Sequence, residues 1–321
     1  MPAITASAPG KIILFGEHAV VYSRPAIAVP VMQLRATAYF QADPASATGG
    51  VHLQAPDIDL KSALTDLPIG HPFRVLFQTV QDQLGIDHFP AMHVKIHSDI
   101  PMAAGFGSGT AVSVALIRGL TRFLGIELTP AKVSALAFEV EKIYHGNPSG
   151  VDNTVVAFER PVYFLKGQPP KPLIPGRDMT FIIADSGIKS KTSGVVEQVR
   201  LNREKSPKQV DAIFDSIAAL TQTAKEMLVD GMQNRVGALM NQNQKCLVQL
   251  GVSCDPLDRL VKAAQDAGAL GAKLSGAGQG GNVIALVQDT DAGKVRTALM
   301  QAGAVNVFQT VLSRLERSSG S

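Results

Sequence analysis

The sequence predicts an α+β protein built from two domains, and three observations support this prediction. The chain has 321 residues, more than one hydrophobic core usually holds. Short apolar segments typical of strands alternate with longer segments of helical spacing. The densest proline cluster of the chain, between Gly167 and Gly176, interrupts this alternation and favours a boundary there. We therefore expect domains at residues 1–168 and 169–321.

The first half of the chain has a mixed pattern of strands and helices. In order, it predicts strands to about residue 40, loops or an edge hairpin over 41–72, a helix over 74–84, a strand over 92–96, a glycine-rich loop at 105–109 and a helix over 110–124. Thr129-Pro130 is an N-cap followed by proline at the first helical position, so a second helix is expected to about residue 144. The stretch 145–153 is rich in Gly, Asn, Pro and Ser and is expected to be a loop.

The second half predicts a sheet with helices packed on it. In order, we expect a strand over 180–184, long helices to about residue 249, a helix over 257–267, two strands flanking a glycine loop at 276–281, a helix over 292–302 and a final strand. This order resembles a ferredoxin-like α+β sandwich with additional helices.

Composition and charge exclude several classes of protein. Hydrophobic residues make up 45% and charged residues 18%, which is ordinary for an ordered globular chain. The net charge is +3 without a basic stripe, so no nucleic-acid partner is expected. The apolar run Ile12–Phe15 is too short for a signal sequence or a membrane span. The mildly basic balance suits a small anionic substrate. With only Cys246 and Cys254 available, a reduced, cytoplasmic setting is expected.

Two glycine-rich loops are candidates for binding an anion. In the loop Pro101–Thr110, backbone N–H groups can approach a phosphate and the following helix adds its positive end. The chain has no Walker motif, and the loop fails the Rossmann spacing. The loop Ser275–Gly281 is also consistent with a simple hairpin turn, as the first is with a tight turn. Their joint presence favours an anionic ligand.

Charged side chains accompany two of the apolar segments. Lys11, Glu17 and His18 bracket a short apolar strand, more charge than solvation of a strand end requires. Glu139 and Glu141 lie near the end of a helix, and Asp152 lies where the following loop returns to apolar chain. Carboxylates from two elements can hold Mg²⁺ and a substrate hydroxyl, as phosphoryl transfer needs. The alternative is a capping Asp and a surface Glu.

Two histidines form a further candidate, for metal binding. His93 and His97 fall in one strand, where four residues span roughly 13 Å. The two imidazoles therefore cannot share one ion, and we expect them to be structural or exposed.

Together these motifs resemble the GHMP kinases, a superfamily that includes galactokinase and the homoserine, mevalonate and phosphomevalonate kinases. The segments Pro9–Tyr22 and His145–Asn153 are most similar to the mevalonate kinase family. The resemblance covers most of the chain and implies the GHMP kinase fold. That fold has an N-terminal α/β domain like ribosomal protein S5 and a C-terminal ferredoxin-like sandwich. It also implies transfer of the γ-phosphate of ATP to the C5 hydroxyl of mevalonate, with Mg²⁺ as cofactor.

The resemblance further implies a role for each matching residue. Asp152 would be the base or orienting carboxylate, Lys11 would stabilise the alkoxide and phosphate, and Glu141 would bind Mg²⁺. The triphosphate loop would be formed by Gly105, Phe106, Gly107, Ser108, Gly109 and Thr110. Mevalonate would be contacted by Glu17, His18, Thr192, Gly276, Ala277 and Gly278.

One position departs from the family pattern. The second Ser of the phosphate loop, a Mg²⁺ ligand in relatives, is here Gly109; Ser108, Thr110 or water could substitute. Two alternatives stay open: another GHMP kinase of the same pathway (a phosphomevalonate kinase or a mevalonate 3-kinase), and a regulatory relative without catalysis. A homodimer is compatible with the sequence, which does not give the oligomeric state.

Overall fold

The computed structural model describes residues 3–45, 49–102, 104–145, 148–189 and 192–314, with residues 144 and 145 described for their backbone only. By its internal contacts the chain divides into two compact units. The first comprises Met1–Lys11, Pro30–Pro101 and Phe106–Glu159, and the second comprises Ile12–Val29, Met102–Gly105 and Arg160–Ser321. The proline cluster lies within the second unit, and the boundary at residues 168 and 169 stays a prediction.

The first unit combines a sheet with four helices of the described chain. Its strands are β1 (Ile4–Phe15, to residue 11), β2 (Ala26–Ala42, from residue 30), β3 (Val51–Ala55), β4 (Leu60–Ala63) and β5 (Met92–Ser98). Its helices are α1 (Pro72–Leu84), α2 (Ser108–Phe123), α3 (Pro130–His145) and α4 (Val151–Phe158).

The sheet of the first unit has the order β4-β3-β5-β2, and β1 also pairs with β2. β3 and β5 are parallel, whereas β3–β4 and β2–β5 are antiparallel. The hairpin expected at the sheet edge is therefore confirmed as β3–β4. Side chains alternate along β5, with Met92, Val94 and Ile96 buried, because successive residues of a strand point to opposite faces.

The helix α4 was not predicted by the sequence. Residues 145–153 were expected to be a loop, but α4 begins at Val151 after Gly150, whose φ of 87° closes the turn. The sequence prediction is wrong at this end because Gly and Ser mask the apolar i, i+4 repeat of Val151 and Val155, both buried. Asp152 consequently lies in the first turn of a helix. Gly146 and Asn147 of this motif are outside the described residues.

The second unit contains a short strand pair and a larger sheet. Its strands are β6 (Val162–Phe164), β7 (Lys171–Pro172), β8 (Met179–Asp185), β9 (Gly271–Ser275), β10 (Asn282–Val287) and β11 (Asn306–Leu312). Its helices are α5 (Thr192–Lys205), α6 (Pro207–Val229), α7 (Gln233–Gln249), α8 (Asp255–Asp266) and α9 (Ala292–Gln301). β6 pairs with β7 and with the first residues of β2, Ala26–Ala28.

The larger sheet has the order β11-β8-β10-β9 and is antiparallel throughout. The connections β8–helices–β9 and β10–α9–β11 are the two halves of a ferredoxin-like sandwich, so this prediction is confirmed. Alternate residues of β10, Val283, Ala285 and Val287, enter a core shared with Phe214 of α6. Within the described chain no helix is long and apolar enough to cross a membrane.

Candidate functional site

The first glycine loop leads into the N-terminus of α2. Gly107 is the N-cap residue with φ of 70°, and no side chain caps the helix. The first N–H groups of α2 have no partner within the helix, so they form a site suited to phosphate. The loop is tied to β1 because the Lys11 N–H donates to the Phe106 carbonyl at 2.8 Å. Ala103 of this motif is outside the described residues.

The side chain of Lys11 passes directly beside Gly107. A Cβ atom at Gly107 would lie 3.0 Å from both Cγ and Cε of Lys11, so this approach and the positive φ both require glycine. Lys11 was expected at a strand end, but β1 begins at Ile4 and places it well inside the strand, only 5% exposed. The strand extends on the N-terminal side of the apolar run Ile12–Phe15, through Pro9 and Gly10 to Ile4.

Lys11 forms an ion pair with Asp152. Its Nζ lies 3.0 Å from Oδ2 of Asp152, and the two side chains are 6% and 28% exposed. The lysine is therefore nearly desolvated, which strengthens its field, while the carboxylate remains accessible from one side.

A second carboxylate, Glu141 of α3, lies near this pair. The Thr110 hydroxyl donates to Oε1 of Glu141. Burial and the charge of Asp152 raise the pKa of Glu141 to about 7, and Thr110 and Lys11 oppose this shift. Two carboxylates that repel each other beside a phosphate-type loop offer the oxygen ligands that Mg²⁺ prefers, so the residues fit this ion.

The neighbouring candidates differ from Glu141 in their surroundings. Glu139 is partly exposed, and its carboxylate pairs with Lys142 of the same helix at 2.7 Å. Ser108 begins α2 and is partly exposed. Within the described ranges, no cluster of three or more His, Cys, Asp or Glu is arranged to hold a metal.

The far end of α4 is held by two arginines. Glu159, the C-cap of α4, receives hydrogen bonds from Arg35 of β2 and Arg118 of α2. Arg35 also donates to the Ser7 hydroxyl at 3.0 Å, and Arg118 donates to the Ser7 carbonyl at 2.9 Å. Ser7 and Lys11 share β1, and Asp152 and Glu159 lie at opposite ends of α4. This network therefore fixes the two elements that carry the ion pair.

In the second unit, Glu17 is buried with a partner that the sequence did not indicate. Its Oε1 accepts from Nζ of Lys273, and both side chains are 0% exposed. Its Oε2 accepts from Nδ2 of Asn243 at 3.2 Å. Burial lowers the pKa of Lys273, and the carboxylate of Glu17 opposes this.

His18 has a strained backbone and a buried ring. Its φ and ψ are 61° and −46°, and the Ala19 N–H donates to the Glu17 carbonyl at 2.6 Å. This is a γ-turn of the rare positive-φ form, which costs about 1–3 kcal/mol. The ring Nε2 donates to the Ala277 carbonyl at 2.8 Å. Burial lowers the pKa of His18, so the ring is neutral at pH 7 and Nδ1 is an acceptor.

The second glycine loop joins β9 to β10, as expected. A Cβ atom at Gly278 would lie 2.0 Å from the Val252 carbonyl, so glycine is required there by packing. A Cβ atom at Gly276 would meet nothing within 4 Å, which leaves room above the loop. Ser275, before the loop, exchanges two hydrogen bonds with the backbone of Ile13, at 2.8 and 3.1 Å.

The predicted residues fall into two groups, one in each unit. The first unit brings together Lys11, Asp152, Glu141, Phe106, Gly107, Ser108, Gly109 and Thr110. The second unit holds Gly105, Glu17, His18, Gly276, Ala277 and Gly278. Thr192 is the exposed first residue of α5 and takes part in none of the contacts above.

Sequence reasoning missed Lys273, Asn243 and Asn282, the last of which donates to the Ala104 carbonyl. A lysine in the middle of the buried strand β9 was the available signal. His93 and His97 pair separately with Asp43 and with Asp57 and Asp99, and the expectation that they are exposed is confirmed.

Comparisons with known proteins show the family to which this chain belongs. Residues 73–160 match the family model of the GHMP kinases N terminal domain, and residues 206–305 match that of the GHMP kinases C terminal domain. A protein of Thermococcus sibiricus named mevalonate kinase is 35% identical, over 97% of this chain and 96% of its own.

Two solved structures have a closely similar fold. L. major mevalonate kinase, in complex with R-mevalonate, has a TM-score of 0.83 at 26% identity and covers 96% of this chain and 95% of its own. Streptococcus pneumoniae phosphomevalonate kinase has a TM-score of 0.82 at 17% identity and covers 97% of this chain and 100% of its own. The second likeness shows that the fold alone does not select the substrate.

Proposed function

Because this chain belongs to the GHMP kinases, and within them to the mevalonate kinase family, we propose that it transfers the γ-phosphate of ATP to the C5 hydroxyl of mevalonate. The observation that carries the proposal is the ion pair of Lys11 with Asp152 beside the glycine loop. A carboxylate and a nearly desolvated lysine at the N-terminus of a helix are groups that in-line phosphoryl transfer uses.

In this proposal Asp152 orients the substrate hydroxyl and accepts its proton. Lys11, held 3.0 Å from Asp152, stabilises the developing negative charge on the attacking oxygen and on the transferred phosphoryl group. Such a positioned base contributes about 10²- to 10⁴-fold to the rate. The chemistry therefore needs the two side chains to keep their mutual geometry.

The loop from Gly105 to Thr110 is proposed to bind the triphosphate through backbone N–H groups at the start of α2. Glu141 and Ser108 would hold Mg²⁺, and Thr110 would orient the Glu141 carboxylate through the hydrogen bond that joins them. When bound, the ion would neutralise charge on the phosphates. The raised pKa of Glu141 supports a site whose charge balance is completed by a cation.

The second unit is proposed to recognise mevalonate. His18 offers Nδ1 as an acceptor for a hydroxyl group, because its Nε2 proton is engaged by Ala277. Gly276 and Ala277 offer backbone polar groups beside open space, and Gly278 shapes the loop. We place Thr192 at this substrate as well. Glu17 contributes through its neighbours, since its carboxylate is fully buried on Lys273.

A coupled assay of ADP release tests the proposal directly. Purified protein with ATP and Mg²⁺ is offered mevalonate, phosphomevalonate, galactose and homoserine at equal concentrations. Of the four compounds, we expect only mevalonate to cause ADP release. Mass spectrometry should show a 5-phosphorylated product. If the protein phosphorylated phosphomevalonate or a sugar but did not phosphorylate mevalonate, the assignment would be refuted. A cytoplasmic location and a homodimer stay predictions.

A further inference from the structure

The segment Glu17–Ala19 has an energetically unfavourable backbone that its surroundings must impose. The γ-turn at His18 combines a positive φ with a hydrogen bond between residues only two apart. Such turns persist only where neighbouring groups over-determine them, and they concentrate at functional sites. The question is which groups hold this turn.

Three side-chain contacts within the second unit hold two residues of the turn, Glu17 and His18. The Glu17 carboxylate receives Nζ of Lys273 and Nδ2 of Asn243. Lys273 also donates to the Leu274 carbonyl at 2.7 Å. One residue further along the turn, the His18 ring donates to the Ala277 carbonyl. The turn is thus attached to β9 and to the glycine loop that β9 enters.

Stability alone does not explain an ion pair at this place. A fully buried pair loses the hydration of both charges, and apolar residues of similar volume often stabilise a protein as well or better. A lysine–carboxylate pair does, however, specify direction and distance, which apolar packing does not. The pair is therefore better explained by the geometry it imposes on the turn than by the stability it adds.

We propose that Lys273 is a positioning residue for substrate binding, which acts by holding the γ-turn through Glu17 so that His18 and Ala277 keep their shared geometry. This inference rests on the proposed function, in which His18 and Ala277 contact mevalonate. Lys273 itself is 0% exposed and touches no substrate. Its loss should weaken the binding of mevalonate and leave the affinity for ATP nearly unchanged.

The experiment separates positioning from simple structural support. Single variants Lys273→Met and Glu17→Gln each leave one buried charge without its opposite charge, so both are expected to unfold at lower temperature. The double variant Glu17→Gln/Lys273→Met carries no buried charge and should recover most of the lost thermal stability. It should not recover substrate binding, because the directional contact is gone.

The expected result for the folded double variant is a KM for mevalonate raised about tenfold, equivalent to about 1.4 kcal/mol, with KM for ATP within about twofold. Lys262→Met is the matched control, since Lys262 forms an exposed ion pair with Asp266, and both its KM values should be unchanged. A wild-type KM for mevalonate in the double variant would overturn the proposal, as would equal increases in both KM values.

The experiment also covers an insoluble double variant and a wild-type protein that uses another substrate. If the double variant is insoluble, Glu17→Gln alone must show the same split between the two KM values at smaller amplitude, and an equal effect on both would overturn the inference. If the wild-type protein phosphorylates another alcohol in place of mevalonate, the proposed function fails. The same KM comparison, made with that alcohol, then decides whether Lys273 positions the substrate site.

Discussion

Replacing Asp152 by Asn tests the proposed chemistry most directly. The amide keeps the size of the side chain and can still hydrogen-bond the substrate hydroxyl. It cannot accept the proton, and it removes the negative charge 3.0 Å from Lys11. Turnover should therefore fall strongly while ATP still binds to the loop before α2.

The size of the effect follows from the same distance. Two unit charges 3.0 Å apart attract by about 5.5 kcal/mol at an effective dielectric constant of about 20. Part of this is screened because Asp152 is 28% exposed. A loss of 10²- to 10⁴-fold in kcat, the range expected for a positioned base, corresponds to about 2.7–5.4 kcal/mol. Only the part of this interaction that strengthens in the transition state contributes to kcat, so the attraction is an upper limit for the loss.

The assay combines calorimetric titration of ATP with single-turnover phosphorylation of mevalonate. We expect the Kd for ATP to change less than about threefold and the single-turnover rate to fall at least 10²-fold. Lys11→Met should also reduce the rate, by removing the cation. Near-native turnover of Asp152→Asn, with the chemical step shown to be rate-limiting, would reduce the carboxylate to a structural role and refute the mechanism.

Three further predictions concern neighbouring groups. Burial and the charge of Asp152 raise the pKa of Glu141 to about 7, so its carboxyl group is mostly protonated below that pH. The affinity of the protein for Mg²⁺ should therefore rise between pH 6 and 8, and the variant Glu141→Gln should abolish this rise. The raised pKa also means that the folded state binds the extra proton, so this group's contribution to stability decreases as pH rises from about 4.5 through 7. Gly109→Ser should stay active and bind Mg²⁺ more tightly, since a Cβ there meets nothing within 4 Å and φ is not positive; a complete loss of activity would contradict this. Glu159→Gln should lower the free energy of unfolding by about 2 kcal/mol, the contribution typical of hydrogen bonds to charged groups, as measured by urea denaturation. An unchanged urea midpoint would show that the contacts of Arg35 and Arg118 with Glu159 do not stabilise the fold.

Local pattern predicted most of the secondary structure. The helices over 74–84, 110–124, 292–302 and the strands around both glycine loops follow from apolar spacing and from turn residues, which act within a few positions of the chain. The failure at α4 has a local cause as well, because Gly150 and its polar neighbours obscure a helix of only eight residues. Lys11 was expected at a strand end because Pro9 and Gly10 precede it, but β1 continues through both residues.

By itself, the sequence determined the family, the phosphate-type loop and the identity of Lys11 and Asp152 as the candidate chemical groups. These depend on residue types and on spacings within single segments. Only the tertiary structure decided that Glu141, and not Glu139, approaches Asp152, that Glu17 is buried on Lys273, and that His18 occupies a strained turn. Each of these results from contacts between residues 11 to 256 positions apart or from backbone angles imposed by such contacts. A pattern along the sequence does not show which distant side chains are buried next to each other. This burial determines both the pKa of Glu141 and the partner of Glu17.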